Sequence, residues 1–248
     1  MNLEIPRLRM FAGPNGSGKS TIKDVINKEL LGIYINPDEI EKEIKEYDFI
    51  EFSNYGFETN KDEVLEFFNN STLLKSVNLL DDVTYLKYSD DKLIFSDIDV
   101  NSYFASVCAD LIRKKLLEAR KSFTFETVMS SYDKVELLKL SKKLGYRNYL
   151  YYIATSDPII NISRVKNRVT FKGHDVSKDK IISRYYRSLD YLQDAVKLSD
   201  RAYIFDNSSY EKTWICEITD GSAVDMKVDI APKWVYHYLL DKKMDVIR

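Results

Sequence analysis

A lysine and a serine directly behind a glycine-spaced turn are the residues of this chain best suited to handle phosphate. Gly13-Pro14-Asn15-Gly16-Ser17-Gly18-Lys19-Ser20 fits the pattern G-x-x-x-x-G-K-[ST] at every fixed position, and Thr21 follows. Glycines at these positions let the backbone bend tightly and turn its N–H groups inward around a polyphosphate. In that arrangement Lys19 reaches the β- and γ-phosphates, and the Ser20 hydroxyl ligates Mg²⁺. The pattern predicts a bound nucleoside triphosphate with Mg²⁺, held by residues Gly13 to Thr21.

Further polar residues follow short apolar runs. Asp38, behind Ile33-Tyr34-Ile35, is placed either to take a proton from an acceptor hydroxyl or simply to open a helix with a matching charge. Glu126, at the end of Ser122-Phe123-Thr124-Phe125-Glu126, suits acceptor hydroxyls, the Mg²⁺ shell or a generic acid opposite the phosphate loop. Arg164 and Arg168 lie four apart on one helical face and precede Lys172-Gly173-His174-Asp175. Such a pair next to a glycine-hinged loop suits a lid over a moving phosphoryl group, and equally a solvated basic face. His174 alone is a weak catalytic signal.

The elements that would carry these residues alternate. Leu8–Ala12 reads as a buried strand, with an amphipathic helix after the loop carrying Ile22, Val25, Ile26 and Leu30. Strands over 33–35, 122–126, 148–154 and 202–205 are separated by helices over 37–45, 102–120, 131–144 and 158–169. A long helix capped by Ser177 and running through Leu198 completes the set. The helix over 158–169 points Ile162, Val165 and Val169 to the core. This predicts an α/β fold: a parallel sheet of about five strands flanked by helices, with ligands beyond the carboxyl ends of the strands. Residues 51–100 break the alternation and read as an insertion in one domain over 1–248. That insertion holds a helix near 62–69 and a hairpin of 83–87 with 92–95 around Ser89-Asp90-Asp91. Residues 211–248 read as a C-terminal β-hairpin turning at Asp220-Gly221, then a short helix near 234–240.

Composition narrows the partners. The formal charge is −2 over 248 residues, so no global basic footprint advertises a nucleic acid. No apolar run approaches membrane-spanning length, and the N-terminus lacks a signal-peptide pattern, which predicts a cytoplasmic protein. Cys108 and Cys216 fall in unlike segments and read as buried apolar fillers, and two histidines leave a zinc site unsupported.

Taken in order, Gly13–Thr21, Asn36-Pro37-Asp38-Glu39-Ile40, Phe125-Glu126-Thr127, Arg164-Val165-Lys166-Asn167-Arg168-Val169, Gly173-His174-Asp175-Val176 and Asp206-Asn207-Ser208 resemble the zeta-toxin family. The likeness spans roughly residues 7–45 and 102–210, and the lid string with its spacing is its specific part. Known members are P-loop kinases that phosphorylate UDP-N-acetylglucosamine on a sugar hydroxyl. The resemblance therefore implies an ATP-dependent kinase using Mg²⁺ on a sugar-nucleotide acceptor. It implies Asp38 as catalytic base, Lys19, Arg164 and Arg168 as phosphate-handling residues, and Glu126 with Thr127 as substrate contacts. It also admits an antitoxin protein as a partner. The chain departs from the family where Glu126-Thr127-Val128 replaces the usual Glu-Gly-Thr, where Glu41-Lys42-Glu43 supplies no arginine after the base, and over the insertion. The alternatives are an NTP-hydrolysing regulatory module of ABC or AAA type, or a kinase for a different nucleotide or a nucleic-acid end. No Leu-Ser-Gly-Gly signature, second phosphate loop or long coiled coil supports the regulatory module.

Overall fold

The computed structural model describes residues 5–170, 176–241 and 246–247, with the side chains of 23–25, 246 and 247 outside that description. The chain sorts into two compact units, one built from residues 1–32 with 122–248 and the other from 33–121.

The first unit is organised on Arg7–Ala12. This strand pairs in parallel with Phe123–Thr127 on one side and with Arg147–Ala154 on the other, and Arg147–Ala154 pairs in parallel with Arg201–Asp206. A strand buried on both faces must be apolar throughout rather than at alternate positions. Leu8, Met10, Phe11 and Ala12 are all fully buried. Register places Met10 beside Leu150 and Phe125 on one face, and Phe11 beside Tyr151 on the other. On that second face Phe11 meets Tyr151 edge-on at 5.3 Å, and Tyr151 stacks on Tyr203 at 4.8 Å. Arg9 is buried there with its guanidinium 5.3 Å from the Tyr149 ring, and burial lowers its pKa. Truncating a ring such as Phe11 to Ala would cost ~3–5 kcal/mol.

The predicted C-terminal hairpin is present as Thr213–Thr219 and Ala223–Met226, and it extends the sheet antiparallel from Arg201–Asp206. Val246–Ile247 then pairs in parallel with Ala223–Met226. The expected short helix is one turn over Lys233–Val235 followed by a π-helical turn over Tyr236–Leu240.

The second unit has its own core. Phe68, Phe95 and Phe104 pack edge to face, with centroids 6.5 and 6.1 Å apart. The helices Pro37–Tyr47, Lys61–Asn69 and Ser102–Glu118 bury Ile40, Ile44, Val64, Phe68 and Ile112. A small antiparallel sheet orders Phe49–Glu51, Lys92–Ile94 and Lys87–Ser89, and Asp90 and Asp91 both take positive φ in its turn. Such a two-residue turn matches the right-handed twist of its strands. This unit also holds an open basin of about 590 Å³ above Phe57, rimmed by Glu58, Asp91, Lys115 and Glu118.

Four local expectations are corrected. Residues 83–85 belong to a 3₁₀ turn over Asp81–Tyr85 instead of the strand, because Val83 is buried while Tyr85 points into solvent. The long helix from Ser177 is two, Lys178–Asp190 and Leu192–Lys197, broken at Tyr191, and the Ser177 side chain makes no capping bond. Val169 is 37% exposed, since Val165, Val176, Ile181 and Ile162 already close the small core beneath that helix. The helix behind the phosphate loop is not α-helical but 3₁₀ over Lys19–Val25 and again over Lys28–Leu30. The first turn ends where Ile26 becomes extended, Asn27 caps the second with its side chain accepting from the Glu29 N–H, and Leu30 is left 46% exposed. Cys108 and Cys216 are, as expected, buried and unbridged.

Candidate active site at the phosphate loop

The loop leaves the buried strand at Ala12 and is shaped by close approaches at its glycines. Gly13 has φ +145°, and a Cβ there would stand 1.9 Å from the Ile153 carbonyl oxygen. Gly18 has φ +97°, and its Cβ would stand 2.4 Å from Asn207 Nδ2. Only glycine fits where both space and φ exclude a side chain.

Side chains from three other parts of the first unit hold the loop from outside. Asn161, fully buried, donates from Nδ2 to the Asn15 carbonyl at 2.6 Å, and its Oδ1 accepts from Thr155 Oγ1. The Tyr185 hydroxyl donates to the Thr155 carbonyl at 2.5 Å. Asn207 Nδ2 donates to the Ser17 carbonyl at 2.8 Å, and Lys212 Nζ to the Thr21 carbonyl at 3.1 Å. With these carbonyls engaged on the outside, the loop's shape is fixed before any ligand arrives.

Inside the loop, Lys19 Nζ donates to the carbonyls of Gly13 at 2.9 Å and Pro14 at 3.0 Å. Ser20 Oγ donates to Glu126 Oε2 at 3.1 Å. Glu126 is buried in the strand beside Arg7–Ala12, in register with Phe11, which fixes where its carboxylate stands. Thr127 accepts through Oγ1 from the Met129 N–H at 3.0 Å, an arrangement that shapes the turn after the strand. Asn15 Oδ1 and Ser17 Oγ are buried with no hydrogen-bond partner among the described residues. Buried polar atoms of this kind ordinarily bond to protein, water or ligand.

Arg164 comes from the helix Pro158–Thr170, one turn beyond Asn161. Its Nη2 donates to the Ser209 carbonyl at 3.2 Å, while its Nη1 is buried without a partner among the described residues. Arg168, a further turn on, is exposed. Lys172-Gly173-His174-Asp175 lies outside the described residues. Asp206 ends its strand as a buried carboxylate accepting from Ser208 N and Oγ, both at 2.9 Å, and from Trp234 Nε1 at 2.7 Å. Asp38 belongs to the second unit, exposed in the first turn of Pro37–Tyr47, where Asn36 Oδ1 accepts its N–H at 2.9 Å.

The donor set fits Mg²⁺. A hydroxyl and a carboxylate oxygen stand 3.1 Å apart at the loop mouth, and Mg²⁺ takes oxygen ligands, usually one or two from protein with the rest from phosphate and water. No cluster of three His, Cys, Asp or Glu side chains suited to a metal occurs among the described residues. No helix among them is long and apolar enough to cross a membrane.

Sequence reasoning missed Asn161 and Lys212. Asn161 carried a signal: it stands four residues before Val165 and three before Arg164, on the buried side of a helix where a polar residue needs a partner. Lys212 carried none.

Residues 96–215 match the family described as Zeta toxin, a little under half of the chain. Over those residues the chain is similar to zeta toxins. The matched segment contains Glu126, Thr127, Asn161, Arg164, Arg168, Asn207 and Lys212, while the phosphate loop and Asp38 precede it. No match was found among curated proteins. Among solved structures, the native AvrRxo1-ORF1:-ORF2 complex has TM-score 0.52 at 15% identity, covering 90% of this chain and 61% of that one. The same complex with sulphate ions gives 0.51 at 14%, and with ATP 0.50 at 12%, with the same two coverages. This likeness is one of fold, a mostly parallel sheet flanked by helices with antiparallel strands at its C-terminal end. The chain spans about three fifths of the length of those structures.

Proposed function

We propose that the chain is an ATP-dependent kinase of zeta-toxin kind, transferring the γ-phosphoryl group to a hydroxyl of a sugar nucleotide such as UDP-N-acetylglucosamine. The observation that carries the reading is the loop itself, clamped by Asn161, Asn207 and Lys212, with Lys19 and the Ser20–Glu126 pair at its mouth. The zeta-toxin match over residues 96–215 supports the acceptor class. The whole is read as one kinase domain, with residues 51–100 inserted and residues 211–248 adding the hairpin.

In this reading Lys19 exchanges the carbonyls of Gly13 and Pro14 for β- and γ-phosphate oxygens, a charge-assisted gain over neutral acceptors. Ser20, with Glu126 beside it, holds Mg²⁺, which when bound neutralises phosphate charge. Asp38 accepts the proton of the acceptor hydroxyl as its oxygen bonds to the γ-phosphorus and the bridging bond to ADP breaks. Arg164 and Arg168 carry the charge on the moving group. Glu126 and Thr127 contact the acceptor. An antitoxin protein is the partner the family suggests.

The test is labelled ATP with a panel of sugar nucleotides, using wild type and Asp38→Asn. Wild type is expected to label a sugar nucleotide, and the variant to bind ATP normally while transfer falls by ~10²-fold or more. ATP hydrolysis indifferent to every added acceptor favours a regulatory NTPase instead.

A further inference from the structure

The segment after Asp206 does more than grip the loop. Asn207 and Lys212 bind the carbonyls of Ser17 and Thr21, while Ser209 receives Arg164, so residues 207–212 lie along the far half of the phosphate loop. In the middle of this anchored stretch stands Tyr210, which is 102% exposed, its ring wholly in water. Other large rings at this end of the sheet are packed in pairs, Phe205 stacking on Trp214 at 6.4 Å. An aromatic ring with no packing partner among the described residues, on a backbone held at both sides, is placed to receive a flat ligand surface.

The polarity of the site says which surface. Lys19 and the Ser20–Glu126 pair mark the β- and γ-phosphate end of the loop. The α-phosphate follows toward Thr21, and the nucleoside continues past it. Thr21 is where Lys212 attaches, two residues from Tyr210. We propose that Tyr210 is the base-binding residue, stacking on the purine or pyrimidine of the bound nucleotide, with Arg164 and Lys212 holding the segment that carries it. Stacking of this kind is tolerant of base identity, because every base has a π-face. The site would therefore take ATP and GTP with similar affinity. This proposal rests on the phosphate-loop reading and adds to it the recognition of the base.

Binding of ATP, GTP and inorganic tripolyphosphate, each with Mg²⁺, is measured by calorimetry on the full chain as wild type, Tyr210→Ala, Tyr210→Trp and Lys19→Ala. Tyr210→Ala should weaken both nucleotides by about ten-fold and tripolyphosphate by less than about two-fold, and Tyr210→Trp should restore nucleotide binding. Lys19→Ala should weaken all three. Unchanged nucleotide binding in Tyr210→Ala overturns the proposal, as does an equal loss of tripolyphosphate, which would mean that the ring acts on the loop's shape. A wild-type chain that binds none of the three removes the phosphate-loop reading and the proposal with it. Wild type that binds the three equally leaves the loop intact and sinks the base contact alone.

Discussion

Ser20 Oγ donates to Glu126 Oε2 at 3.1 Å, joining the end of the phosphate loop to the neighbouring strand across 106 residues of chain. The contact brings a hydroxyl and a carboxylate together where a hard cation takes both. Glu126→Gln keeps the shape and the acceptor oxygen but removes the charge. ATP affinity without Mg²⁺ should stay within about two-fold, while the Mg²⁺ concentration for half-maximal turnover rises by ~10-fold or more. A Mg²⁺ titration of turnover checks this, and an unchanged midpoint would take Glu126 out of the metal shell.

Lys19→Ala should abolish ATP use without loosening the fold. Its ammonium rests on two loop carbonyls that water can satisfy, and the side chain fills no core volume. Melting without ligand should move by less than ~1 kcal/mol of stability, as for one net hydrogen bond. A large drop in melting temperature would show Lys19 to be a structural clamp.

The two arginines should differ in degree but not in kind. Arg164 already spends one nitrogen on the Ser209 carbonyl and keeps Nη1 buried, whereas Arg168 is the more exposed of the two. Each Ala variant should retain ATP binding and lose turnover, by on the order of 10³-fold if its charge serves the transition state. Turnover within about two-fold for either returns that residue to a solvated basic face.

Both thiols should be inert in the native protein. Burial pushes the Cys216 thiol up to about 12 and raises that of Cys108 as well. The folded state thus keeps protons that the unfolded chain releases near its ordinary value of 9.0, so stability is full below that pH and declines as pH rises toward 12. Thiol labelling at pH 8 should be slow without denaturant and fast in it, and thermal midpoints should fall only above about pH 9. Rapid native labelling would show that one of the two segments opens.

The sheet was legible in the sequence because its strands are buried on both faces. Leu8–Ala12 then reads as an apolar run that ends at the loop, and Phe123–Phe125 leads to the Glu126 carboxylate at the same edge. The phosphate loop was legible because its glycines answer a local demand for positive φ and close backbone approach. What escaped was set by tertiary partners. Asn161 holds the loop only because Thr155 and Asn15 happen to meet it, and no local pattern encodes Lys212 reaching Thr21. The amphipathic pattern of Ile22, Val25, Ile26 and Leu30 promised a helix, yet Ile26 becomes extended and Asn27 caps a separate short turn through its own side chain. The division at residues 33 and 121 was also unreadable, since apolar periodicity runs on through it without a linker.

The clamps on the phosphate loop all come from residues made long after it. In synthesis Gly13–Thr21 comes first, and Asn161, Asn207 and Lys212 follow roughly 150 to 190 residues later. At ~5–20 residues per second of synthesis, that interval is on the order of ten seconds or more. The carbonyls of Asn15, Ser17 and Thr21 remain unclaimed by these partners throughout. The shape of the loop is thus settled only once residues 161 to 212 have been made, and a fragment ending before residue 207 lacks two of the three side chains that grip it.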